Sequence, residues 1–123
     1  MSKTFMLLAA LLGGLGVAMG AFGAHALEAR LSPRDLGIFE TGVRYQLIHA
    51  LALGLVSVGL ETRPQSSGLW WAGWAFAAGT LIFSGSLYVL VLTQIRWLGA
   101  VTPIGGLAFL GGWLCLLVDT VRR

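Results

Sequence analysis

The sequence predicts an all-α membrane protein: a bundle of four transmembrane helices with short loops and both termini on the same side of the bilayer. Three observations predict it. The chain is 57% hydrophobic and only 11% charged over 123 residues, against about 45–50% and about 25% in an ordinary soluble domain. Four long apolar segments follow one another. The polar stretches between them are too short to form a second domain. A soluble protein of this length could not cover its surface with so few charges, so the natural solvent is lipid and the length allows one domain, residues 1–123.

The four helices are expected at about residues 4–27, 33–60, 69–93 and 97–120. A membrane helix needs about 20 residues to cross about 30 Å of hydrocarbon. The first, third and fourth segments meet that directly. The first begins behind Lys3 and ends in small residues, as a secretory leader would. Its apolar run is about twice a typical leader core of roughly 7–15 residues, so it reads as a helix.

The second segment is apolar only from Leu47 to Leu60. At 1.5 Å per residue, 14 residues span about 21 Å, too little to cross. The helix must therefore recruit Thr41 to Gln46, and with them Arg44. It is expected to start at Pro33. Ser32 is a good N-cap, Pro33 suits the first helical position, and Asp35 favours the positive end of the helix dipole. Leu36, Phe39, Val43 and Leu47 recur at helical spacing.

Trp70, Trp71 and Trp74 fit an aromatic belt at one membrane boundary, and Trp97 fits the other. Pro103 either kinks the fourth helix or marks its true start. Lys3, Arg63, Arg122 and Arg123 lie on the side of the termini; Arg30, Arg34, Arg44 and Arg96 lie on the other. Discounting Arg44 as intramembrane tips this count towards cytoplasmic termini.

The polar residues are unevenly spread. The membrane half near the termini has almost none, while the far half holds His25, Arg44, Tyr45, Gln46, His49 and Tyr88. Glu40 and Arg44 are four apart on one helix, as are Tyr45 and His49. Arg44 and Tyr45 are about 100° apart, so the pairs share one broad arc. Two readings follow. His25, Glu40, Arg44, Tyr45, Gln46, His49 and Tyr88 line a small pocket for a ligand, lipid headgroup or proton; or they lock the helices together, with Arg44 snorkelling. His25 is expected to approach Tyr45 or His49 across the first two helices, with Arg44 pointing into the bundle, as the pocket requires.

No reaction is read from these residues. Two histidines without a third ligand at matching depth do not make a metal or haem site, so neither metal nor cofactor is expected. Asp35 and Asp119 fall at opposite ends, and no Ser sits in a nucleophile elbow, so there is no triad. The basic residues are scattered, which argues against nucleic acid. Cys115 stands alone and reads as an inert packed thiol.

The 18 glycines fall inside apolar helices, with no strand before them and no Lys after, so they are not phosphate loops. Gly16 and Gly20, extended by Ala9, Gly13 and Ala24, make a smooth ridge; Gly105, Gly106, Gly111 and Gly112 make another. Such ridges let helices approach closely, within one bundle or between chains. The implied partners are the lipid bilayer and another membrane protein or a further copy of this chain.

The stretches "GAFGAHAL", "FETGVRYQLIHALAL", "SGSLYVLVLT" and "LGAVTPIGGLAFLGGWL", in that order, resemble a family of small bacterial inner-membrane proteins catalogued as domain of unknown function 423, with relatives among small eukaryotic transmembrane proteins. The resemblance covers nearly the whole chain. It implies a four-helix membrane protein and supplies no activity and no catalytic residue. In its pattern an Ala is more usual at Gly42, and a Gly often stands where this chain has Gln94. The family motifs coincide with His25, Glu40, Arg44, Tyr45, Gln46, His49 and Tyr88.

Overall fold

The computed structural model describes all 123 residues. It contains four helices long and apolar enough to cross a membrane, and no strand. Helix α1 is Ser2–Leu27, with one π-helical turn at Met19–Gly23 closed by the Ala24 N–H on the Met19 carbonyl. Helix α2 is Pro33–Thr62 and α3 is Ser67–Thr93. A short 3₁₀ turn, Arg96–Ala100, leads into α4, Thr102–Arg122. Pro103 therefore sits in the first turn of α4, where its missing N–H costs nothing.

The helix ends obey local chemistry. The Asp35 N–H donates to Ser32 Oγ at 3.1 Å, and the Leu69 N–H donates to Ser66 Oγ at 3.1 Å. Gln94 ends α3 in the left-handed conformation at φ 61°, the only non-glycine residue with positive φ. That position favours Gly. Here the Gln94 side chain compensates: its Nε2 donates to the Val91 carbonyl and to Asp35 Oδ2, and its Oε1 accepts from Arg96.

The chain folds as consecutive antiparallel hairpins, α1 along α2, α2 along α3, α3 along α4. Helices α2 and α3 are half buried and form the centre; α1 and α4 flank them and are mostly exposed. Phe5, Leu53, Val56, Phe76 and Val91 are fully buried. Leu11, Leu15, Leu51, Leu55, Leu81, Leu107 and Leu110 lie on the outside, which is the surface lipid requires.

Glycine seams hold the helices close. Down the α1–α2 seam, a Cβ on Gly13 would meet Ala50, on Gly16 Leu47, on Gly20 Val43, and on Gly23 Phe39. On α4, a Cβ on Gly105 would lie 2.4 Å from the Phe83 backbone nitrogen, and one on Gly112 would enter the Phe76 ring. The ridges thus pack within one bundle. Gly106 only grazes the Phe83 ring, with a Cβ there 4.0 Å from it, and a Cβ on Gly111 would meet nothing. Helix association in lipid has no hydrophobic drive, so close van der Waals contact and hydrogen bonds must supply it.

Each end carries a carboxylate clasp. On the side of the termini, Asp119 accepts from Arg63 and from Ser66 Oγ, tying the α2–α3 loop to the end of α4. On the far side, Asp35 accepts from both Arg96 terminal nitrogens and from Gln94, tying the start of α2 to the α3–α4 connection. The Asp35 carboxylate is thus spent on the Arg96 guanidinium and the Gln94 amide.

Candidate functional site

The polar residues of α2 fall on two faces, and the structure treats them oppositely. Gln46 and His49 are three residues apart and point inward, 4% and 3% exposed. Gln46 Nε2 donates to the Leu12 carbonyl of α1 at 2.8 Å. Its Oε1 accepts from the Tyr88 hydroxyl of α3 at 2.7 Å. His49 Nε2 accepts from the Trp113 Nε1–H of α4 at 3.1 Å. Two side chains of α2 therefore hydrogen-bond all three other helices.

Those contacts assign the imidazole tautomer. His49 Nδ1 lies 2.8 Å from the Tyr45 carbonyl, which can only accept, so Nδ1 carries the hydrogen. Nε2 is then free to accept from Trp113, and the ring is neutral. Phe109 of α4 stacks on the imidazole at a centroid distance of 3.6 Å and an angle of 8°. Phe76 and Trp113 close two further sides. Nearby, Ser84 Oγ donates to the Gly42 carbonyl at 2.7 Å, and the missing Cβ of Gly42 leaves room for the Tyr88 ring. No fully buried side-chain nitrogen or oxygen in the molecule lacks a hydrogen-bond partner.

Glu40 and Arg44 point the other way. Both are exposed, and neither takes part in the Arg63–Asp119 or Arg96–Asp35 ion pair or in the His25–Glu28 contact. The expectation that Arg44 points into the bundle is corrected. The buried face of α2 runs through Phe39, Val43, Gln46, Ala50 and Leu53. At 100° per residue Arg44 lies about 160° from Gln46, on the opposite side of the helix. Tyr45 stands at the edge, 38% exposed, its ring against Phe83 at 4.7 Å.

His25 is also corrected. It is exposed and lies 3.9 Å from Glu28, just past the end of its own helix. The glycine register is the reason: Gly23 meets Phe39, so His25 sits at least about 15 Å along α2 from His49. The two histidines share no ligand sphere. Of the seven expected site residues, the structure joins Gln46, His49 and Tyr88, seats Tyr45 beside them, and separates His25, Glu40 and Arg44.

Trp113 and Phe109 were not singled out from sequence. A signal existed. A Trp indole N–H in a packed helix usually finds an acceptor, and Gly105, Phe109, Gly112 and Trp113 recur on one face of α4. The surface grooves lie away from the hub. One of about 530 Å³ runs between α1 and α2 past Met6, Gly13, Leu47 and Leu51. Another of about 610 Å³ lies at the far end beside Arg34, Ile38, Leu87 and Arg96.

Known proteins similar to this chain are membrane proteins. The chain is similar to the UPF0382 membrane protein SH2409 of Staphylococcus haemolyticus, 48% identical over 120 residues, covering 98% of this chain and 97% of that one. It is 42% identical to the UPF0382 membrane protein YwdK of Bacillus subtilis, over 98% of both chains. It is also 42% identical to the UPF0382 inner membrane protein YgdD of Escherichia coli K12, over 99% of this chain and 93% of that one. No solved structure matches it. Residues 19–106 match the model described as "Protein of unknown function (DUF423)", and with these relatives along nearly its full length the chain belongs to that family of membrane proteins.

Proposed function

We propose that this chain is an assembly component of the inner membrane: the Gln46–His49 hub locks the bundle, and the outward face of α2 receives another membrane-spanning segment. The observation that carries this reading is Arg44. Helix α2 has 30 residues, about 45 Å, enough to span a bilayer with its headgroups. Arg44 is its twelfth residue, about 5 Å from the helix centre, and is exposed. An Arg at the centre of a membrane helix costs about 2.5–3.5 kcal/mol on insertion scales and normally faces protein or pairs. A docked partner supplies what the bundle does not. Ligand binding at the hub would instead require Gln46, His49 or Tyr88 to give up a partner, since their polar atoms are already engaged.

The termini face the cytoplasm in this reading. Without Arg44, four basic residues lie on their side and Arg30, Arg34 and Arg96 on the other. A reporter fused after Arg123 is active only in the cytoplasm if this is right.

The test of the assembly role is a photo-crosslinking residue placed at Ile48, beside Arg44, in native membranes. A protein adduct that disappears in Arg44→Gln, and does not form from Leu81 on α3, supports it. Lipid adducts alone from Ile48 overturn it. A hub ligand predicts instead that a small molecule co-purifies with the native chain and is lost in a stably folded His49→Ala variant, with Arg44→Gln silent.

A further inference from the structure

The outward face of α2 has an internal order that points to one occupant. Glu40, Arg44, Leu51, Leu55 and Val58 form one exposed stripe. Its two charged residues have opposite signs and stand one helical turn apart. Neither is spent: the ion pairs in the molecule are Arg63–Asp119 and Arg96–Asp35, and the 3.9 Å His25–Glu28 contact involves neither residue. Gly37 and Gly54 flank the stripe on the outward half, and a Cβ on either would meet nothing. A neighbouring backbone can approach there.

We infer that a second copy of this chain docks on this stripe, with Glu40 of each copy paired to Arg44 of the other. The inference rests on the assembly role proposed above and names the partner. Copies inserted in the same orientation relate by a two-fold axis along the membrane normal, so equal depths face each other. In a helix each Cα–Cβ bond tilts towards the N-terminus. The Arg44 side chain thus leans towards the level of the partner's Glu40, one turn away. Such a contact satisfies all four charges and leaves none over. A different protein would have to present the same two charges in the matching order. Sequestered from water, these pairs are strong, because little competes for either charge. Below them, Leu51 and Leu55 meet their counterparts.

The stripe also allows a competing arrangement, in which Glu40 and Arg44 pair within one helix, and the test separates the two. In a Cys115→Ser background the full chain is reconstituted in phospholipid vesicles with Leu51→Cys, two turns below Arg44. Oxidation is expected to give a disulfide-linked dimer, and none from Leu81→Cys or Leu110→Cys on the lipid faces of α3 and α4. Glu40→Arg alone and Arg44→Glu alone each lower the dimer fraction by about tenfold or more. Co-expression of the two, differently tagged, restores the mixed dimer. Pairing within one helix predicts instead a monomeric wild-type chain with no disulfide from Leu51→Cys, and that result overturns the inference. The neutral Glu40→Gln, Arg44→Gln double variant inserts without buried charge and is also expected to be monomeric. Dimer formation by that variant would likewise overturn it. If the wild-type chain stays monomeric while Ile48 in native membranes still crosslinks to a different protein, the second copy is wrong and the assembly role stands. If both experiments are negative, both fall.

Discussion

The two faces of α2 make the most instructive contrast in the molecule. Both carry polar residues at membrane depth. On the inner face, Gln46 and His49 reach the Leu12 carbonyl, the Tyr88 hydroxyl and the Trp113 indole. On the outer face, Glu40 and Arg44 reach nothing within the chain's own ion pairs. One face spends its polarity on holding the fold. The other keeps it available. Depth alone does not distinguish these roles; direction around the helix does.

The largest expected effect comes from breaking the inner face. Gln46→Ala removes the acceptor of the Tyr88 hydroxyl and the donor to Leu12, leaving a hydroxyl without a partner in a packed seam. The cost is about 2–3 kcal/mol, read as reduced resistance to unfolding in mixed detergent micelles. Next is Gly42→Ala. Its Cβ would lie 2.7 Å from Cε1 of the Tyr88 ring, displacing that ring from Gln46 at a cost of about 1 kcal/mol. In a Tyr88→Leu background the penalty is expected to shrink, which a double-mutant cycle measures.

Arg44→Gln sharpens the contrast from the outer side. It is expected to change the stability of the single bundle by no more than about 0.5 kcal/mol, while abolishing association through α2. A loss of stability as large as that of Gln46→Ala would erase the distinction between the faces. The smallest effect is at Gln94. Replacing it with Gly relieves a left-handed residue, worth roughly 1 kcal/mol, but removes hydrogen bonds to Asp35, Val91 and Arg96. The two nearly cancel in thermal unfolding. The double variant Gln94→Gly, Arg96→Leu is the more damaging one, because Asp35 then loses every side-chain donor.

The four helices were legible because hydrocarbon thickness fixes their length, and the cap at Ser32 because its chemistry is local. That the glycine ridges would pack was legible too. Their partners were not, since contacts such as Gly20 against Val43 depend on a register set between helices. The same register displaced His25 from the expected pocket. Arg44 and Gln46 shared one stretch of sequence, and the broad arc drawn through Tyr45 covered both faces of the helix. Nothing local said which edge of that arc would turn inward. Trp113 escaped because its partner, His49, lies 64 residues away in sequence.

The two carboxylate clasps carry a consequence for how the chain is made. Asp35 begins α2, but its partners Gln94 and Arg96 emerge only after α3 has been synthesised. Arg63 and Ser66 follow α2, yet they wait for Asp119 near the end of α4. Each clasp therefore closes late, the far one after three helices and the near one after the fourth. A chain halted before Asp119 presents an unpaired Arg63 and a loose α2–α3 loop at the membrane surface. The near clasp thus acts as a completion mark on the finished protein, and a ribosome-arrest series read by protease sensitivity of that loop should show protection arriving only with the last helix.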